Sequence, residues 1–241
     1  MNFEIFTTSA GLTSLFTLTL LEIILGVDNI IFISIIADKL PKNKQLFARN
    51  MGLFIAMLVR IVLLIFIGYI LGMTKPLFTI IDIEFTGKSL ILLGGGVFLI
   101  YKSTVEMHNK VKGVVDDTGG KGKQVLSAVI MQIVLIDIVF SFDSILTAVG
   151  VAKDVEVMIA AVILSMGVMF LMATKIATFI NARPTIKMLA LSFLVTIGVV
   201  LVMEGLGQHI QKGPIYFAMV FSLLVETLNI RMRKNKGKTE H

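Results

Sequence analysis

The chain has no cysteine in its 241 residues, so disulfides, thiolate metal sites and cysteine nucleophiles are excluded. Soft-metal chemistry thereby loses its best ligand. Charge is scarce too: Asp, Glu, Lys and Arg make up 16% of the chain, against about 25% in a soluble domain. No basic region precedes the first apolar run, since MNFEIFTTSAG lacks Lys and Arg. That run is also too long and too acidic for a signal-peptide core, so the first segment is expected to be retained. The Tyr-Asp and Gly-x-Gly-Asp signatures of intramembrane aspartyl proteases are missing.

What the chain has in excess is apolar surface, with 56% hydrophobic residues and a mean hydropathy of +0.93. Crossing about 30 Å of hydrocarbon takes about 20 apolar residues. Seven runs approach or exceed that length: Thr13 to Ala37, Met51 to Met73, Ser89 to Thr104, Val125 to Val149, Val157 to Ile180, Ile186 to Met203 and Ile215 to Ile230. The expected fold is an all-α polytopic membrane protein, a single transmembrane domain embedded in a lipid bilayer.

The net charge of +6 is spread unevenly. Basic residues number 4, 2, 5, 1, 3 and 1 in the six successive connections and 5 in the tail at 231–241. Lys and Arg collect on the cytoplasmic side of membrane proteins. The alternation therefore predicts an outside N-terminus and a cytoplasmic C-terminus, with the tail a solvated anchor rather than a nucleic-acid binder.

Four acids interrupt the apolar runs. LEIILGVDNI carries Glu22 and Asp28, and LIDIVFSFDSI carries Asp137 and Asp143. An acid at the centre of a membrane helix costs about 2.5 to 3.5 kcal/mol, so four facing lipid would cost on the order of 10 kcal/mol. They are expected to face protein, water or a cation. The spacing repeats: Glu22, Asp28 and Asn29 align with Asp137, Asp143 and Ser144. Three spans separate the copies, which predicts two inverted three-helix repeats (about 13–106 and 125–206), joined by a linker at about 107–124 and followed by a last helix at 214–230.

In a regular helix, residues six apart lie about 120° around the axis from one another, so Glu22 would not converge with Asp28, nor Asp137 with Asp143. A local break is therefore expected near Gly26 and near Ser141, with the freed carbonyls as further ligands. Carboxylate, amide, hydroxyl and carbonyl oxygens suit a hard divalent cation such as manganese or magnesium. The expected metal ligands are Glu22, Asp28, Asn29, Asp137, Asp143 and Ser144. Crowded carboxylates would hold protons when the site is empty and release them on metal binding, a basis for proton-coupled exchange. No enzymatic activity and no permanent cofactor are expected.

The competing reading is an ion-pair network without a ligand, in which Arg60 is the counter-ion and a structural or gating partner. Gln132 extends the polar path or bonds a neighbouring helix. Glu106 with His108, and Glu204 with His209, echo one another at the ends of the third and sixth spans, as interfacial groups or access-path ligands. Glu226 and Asn229 are expected to be packing or interfacial residues, the 14 Met to fill the core, and Gly94, Gly95 and Gly96 to allow close helix packing. DDTGGKGK at 116–123 matches neither a calcium loop nor a phosphate loop.

The segments LLEIILGVDNIIFIS, ARNMGLFIAMLVRIVLL, DIVFSFDSILTAVG, KMLALSFLVTIGVVLVMEG and PIYFAMVFSLLVETLN resemble the TerC family of integral membrane proteins over nearly the whole chain. The resemblance implies a bacterial inner-membrane protein with seven spans, related to LysE-type exporters and associated with metal homeostasis, chiefly manganese efflux. Members are also linked to tellurite resistance and to supplying metal to secreted enzymes. The family's acidic motifs fall on Glu22, Asp28 and Asn29 and on Asp137, Asp143 and Ser144. Many members carry Ser where this chain has Gly26, and no counterpart of the cytoplasmic regulatory domains of longer relatives is expected in these 241 residues. A manganese exporter is the leading expectation; a non-transporting membrane partner for metal delivery or metal stress is the alternative. The implied partners are the divalent ion, the bilayer, further copies of the chain and metal-requiring proteins, with no nucleic acid.

Overall fold

The computed structural model describes residues 3–80, 83–112, 125–152, 154–208 and 210–239, without the side chains of residues 3, 4, 27, 28, 143, 147 and 234–239. The elements are α1 (Ser9–Ala37), α2 (Lys42–Ile65), α3 (Ile67–Gly72), β1 (Pro76–Ile80), β2 (Ile83–Thr86), α4 (Gly87–Val111), α5 (Leu126–Val151), α6 (Val155–Asn181), α7 (Pro184–Gly205) and α8 (Gly213–Thr239). Seven of them, α1, α2 and α4 to α8, are long and apolar enough to cross a membrane.

Local chemistry sets the helix starts. Thr8 caps α1 by accepting from the Gly11 amide, Thr86 and Ser89 form a reciprocal capping box at α4, and Pro184 opens α7. The second span departs from its expected limits at both ends. It begins at Lys42 rather than Met51, because the buried stripe Ala48, Gly52, Ala56, Arg60 and Leu64 recurs every four residues and carries the helix back into the basic segment. At the other end Phe66 leaves helical geometry (φ −93°, ψ 26°), and α3 restarts from its carbonyl, which accepts from the Tyr69 and Ile70 amides.

The connection to α4 holds a short antiparallel hairpin pairing Thr79 with Glu84, an addition to the helical architecture. Its Phe78 and Phe85 rings stack with centroids 5.2 Å apart. The expected linker at 107–124 is helical as far as Val111; the DDTGGKGK stretch lies outside the described residues. The last helix runs on to Thr239, so the basic tail is largely a continuation of α8.

Two groups of helices meet along a seam. In one, α1 packs on α6 and α5, and α2 packs on α5 and α6; in the other, α4 packs along α7. Contacts of α4 with α5, and of α7 with α1 and α6, are sparse. The α4–α7 pair is close because glycines face each other: a Cβ on Gly96 would lie 2.7 Å from the Gly198 carbonyl oxygen. Gly95 likewise abuts Val139, whereas Gly94 faces open space. Helix α8 is peripheral and presents Phe217, Val220, Phe221, Leu224 and Leu228 outward as an exposed stripe, as lipid contact requires.

Candidate functional site

The first acidic motif sits on α1, the most interior of the seven spans, and the second on α5. Along α1, Ile30, Phe32, Ile33, Ile35, Ile36 and Ala37 are all buried. Glu22 lies 13 residues from one end of this helix and 15 from the other, and Asp137 lies 11 and 14 residues from the ends of α5. Both carboxylates are therefore near mid-span. Their side chains are 6% and 4% exposed.

Arg60 joins them. It projects from the buried stripe of α2 and is itself 3% exposed. Its Nη1 donates to Glu22 Oε2 at 2.6 Å, its Nη2 to Asp137 Oδ1 at 2.8 Å, and its Nε lies 3.4 Å from Asp137 Oδ2. Asp137 also accepts from Asn29 Nδ2 at 3.0 Å and from Ser141 Oγ at 3.0 Å. One residue from each acidic motif is thus bonded directly to the other motif. Asn29 Oδ1 is buried with no hydrogen-bond partner among the described residues, an open acceptor beside the carboxylate pair.

The expected breaks near Gly26 and Ser141 are not present: α1 and α5 run through both positions as helix. Gly26 serves close packing instead, since a Cβ there would meet the Met169 thioether on α6. Ser141 bonds its own helix's carboxylate one turn back, rather than a freed carbonyl. With both backbones intact, carbonyl ligands are not on offer. Ser144 Oγ donates to the Ser141 carbonyl at 3.3 Å. The side chains of Asp28 and Asp143 lie outside the described residues, and among those described no group of three His, Asp or Glu is arranged to hold a metal.

Two cavities approach the centre along the seam. The larger is lined by Leu25, Arg60, Phe140 and Ser144 on one side and by Ile197, Lys212 and Tyr216 on the other. The smaller is lined by Phe32, Lys39 and Gln132 facing Ser103, Glu106 and Leu194. Along α5, Asp137 falls between Gln132 and Phe140; along α1, Asn29 falls between Leu25 and Phe32. Arg60 thus lines the larger cavity directly, while Asn29 and Asp137 fall between the residues that line the two.

The model of the integral membrane protein TerC family matches residues 7–241. The chain belongs to the TerC family. Its relatives include the UPF0053 inner membrane protein YgdQ of Escherichia coli, 47% identical over 220 residues, which cover 91% of this chain and 92% of YgdQ. A UPF0053 protein of Haemophilus influenzae is 48% identical, with 92% and 94% covered. The UPF0053 inner membrane protein YoaE of Escherichia coli is 46% identical over 92% of this chain, which spans only 43% of YoaE. No solved structure matches.

For this TerC member, several ion pairs were not legible from residue patterns. Lys187, which by sequence is one of the basic residues of a connection, is 5% exposed and donates to Asp38 Oδ2 at 2.6 Å. Lys39, the chain neighbour of Asp38, pairs with Glu106. Lys212 lies 3.2 Å from Glu204 Oε1; His209 lies outside the described residues. The Lys39–Glu106 pair lines the smaller cavity and Lys212 of the second pair lines the larger; only the Glu106 and Glu204 half of each was visible in sequence.

Proposed function

We propose that this protein is not an enzyme but a transporter that exports a divalent metal ion, manganese foremost, from the bacterial cytoplasm, using Glu22, Asp28, Asn29, Asp137, Asp143 and Ser144 as the site. The observation that carries this reading is the mid-span carboxylate pair, held by one arginine that itself lines a cavity. Of the four acids in the two motifs, only one charge is balanced by Arg60. The excess negative charge favours a dication or protons, which supports metal–proton exchange. Hard oxygen ligands without a single thiolate favour manganese or magnesium over soft metals.

The helix pairing supports inverted repeats: exchanging α1, α2 and α4 with α5, α6 and α7 maps the packing of α1 on α6 onto that of α5 on α2, and keeps α4 on α7. Alternating access then consists of the α4–α7 pair moving against the four-helix group, so that the two cavities open in turn. The Lys and Arg distribution supports an outside N-terminus and a cytoplasmic C-terminus.

A second reading, a non-transporting partner that delivers metal to other proteins, is favoured by one specific feature: Glu22 and Asp137 are both satisfied by Arg60, as in a purely structural network. Total cell manganese separates the two. In a manganese-sensitive bacterium without its own exporter, the parent chain should lower manganese, whereas Asp28→Asn, Asp137→Asn and Asp143→Asn at matched membrane levels should not. Equal manganese in all four strains would reject export.

A further inference from the structure

The smaller cavity contains chemistry that the central site does not use. Glu106 is held by the tip of a flexible lysine from another helix group, and both are partly solvated, with side chains 23% (Lys39) and 12% (Glu106) exposed. One turn away on the same face of α4, Ser103 is 2% exposed, and its hydroxyl has no hydrogen-bond partner among the described residues. Gln132 contributes an amide from α5 across the seam. A buried hydroxyl without a partner is costly unless something occupies the cavity beside it.

Two lysines, Lys39 and Lys102, and one carboxylate, Glu106, line this cavity, so a cation enters only by displacing an ammonium. The ammonium of Lys102 sits over the Phe98 ring on its own helix, 5.8 Å from the centroid. Asp38 and Lys187 neutralise each other. The Lys39 ammonium alone lies against Glu106 among the described residues. We infer that the smaller cavity is a second, superficial cation subsite, in which Glu106, Ser103 and Gln132 bind a divalent ion that displaces the Lys39 ammonium. Waters complete the shell, since small hard dications keep several of them. Because Lys39 belongs to the α1 end of the four-helix group and Glu106 to α4, filling the subsite also releases an ion pair that ties the seam together. The inference rests on the transport reading for which ion passes.

The test is manganese binding to the purified protein in lipid nanodiscs, read from the free-ion signal in electron paramagnetic resonance. The parent, Glu106→Gln, Lys39→Met and Asp137→Asn are compared. A cation subsite predicts opposite signs: Glu106→Gln weakens one class of bound manganese about tenfold or more, whereas Lys39→Met, which removes the competitor, tightens that class about fivefold. A merely structural ion pair predicts equal effects from the two changes, and an anion site predicts that Lys39→Met abolishes binding of oxyanions and leaves manganese unchanged. Either result overturns the subsite. Should Glu106→Gln not fold, tightening by Lys39→Met alone still decides the matter. Failure of the central reading looks different: Asp137→Asn then leaves binding and cell manganese unchanged, while the opposite shifts at Glu106 and Lys39 persist.

Discussion

Replacing Arg60 with Met removes the one cation that the described structure places between Glu22 and Asp137, at nearly constant side-chain volume. Both carboxylates are about 95% buried, so neither gains water in compensation. Removing one partner from a buried ion pair costs about 3 to 5 kcal/mol, which for a domain of this size lowers Tm by about 6 to 20 °C. A dication that uses the same carboxylates should restore part of the loss, because a ligand at 100 times its Kd stabilises by about 2.7 kcal/mol. The assay is thermal unfolding in detergent, followed by far-ultraviolet circular dichroism, since the chain lacks both Trp for intrinsic fluorescence and Cys for thiol dyes. The expected pattern is a low Tm for Arg60→Met without metal and a larger rise on adding manganese than the parent shows, because the parent's arginine competes with the ion. An Arg60→Met protein as stable as the parent, or one indifferent to manganese, would refute the reasoning that arginine and metal compete for one site.

Ser141→Ala removes one donor to Asp137 and leaves the helix intact, so it should cost about 1 to 2 kcal/mol and raise the manganese concentration needed for half-maximal flux in proteoliposomes; unchanged flux and stability would remove Ser141 from the network. Gly96→Ala forces a Cβ against the Gly198 carbonyl and the Val202 amide, backbone atoms that cannot move aside, so it should cost about 2 kcal/mol or more, whereas Gly94→Ala faces open space and should leave the melting curve unchanged. In this cysteine-free chain, Lys39→Cys with Glu106→Cys joined by a short bifunctional maleimide should arrest flux reversibly with cleavage of the linker, and full flux in the joined protein would exclude motion along the seam.

Much of the architecture was legible because the membrane imposes simple rules. Apolar runs of sufficient length predict spans, and all seven have helical counterparts. Acids inside such runs stand out by their cost alone, as do glycines where helices pack. Arg60 was identifiable as a counter-ion by the same logic, since a charged residue in GLFIAMLVRIVLLIFIGYIL needs a partner. What could not be read is which residues of different helices meet. Lys187 lies 149 positions from Asp38 and nothing in either neighbourhood names the other. The expected breaks at Gly26 and Ser141 failed for a related reason: glycine and serine in a helix read equally as unwinding points or as packing and hydrogen-bonding positions, and only the facing Met169 and Asp137 decide. The early start of α2 was hidden because Lys42, Lys44 and Arg49 resemble a loop by charge, while the four-residue recurrence of its small residues belongs to a helix.

Arg60 also bears on how a site with so many carboxylates would let an ion go. Carboxylates in a medium of low dielectric attract a dication strongly, and a site that binds too tightly traps its cargo, since conduction requires binding weak enough for release. An arginine tethered to α2 holds the same oxygens at 2.6 and 2.8 Å and is present at every moment, whatever the ion concentration. In the proposed transporter it would act as an internal competitor: the ion would have to displace the guanidinium to bind, and the returning guanidinium would favour the ion's departure. The same logic recurs at the smaller cavity, where Lys39 lies against Glu106. In each place a tethered cation neutralises the carboxylate, which limits the cost of the empty state and, were an ion to bind there, would keep its affinity moderate. On this view the lysine and arginine partners tune exchange, and their removal should give tighter binding with slower turnover rather than a simple loss of metal.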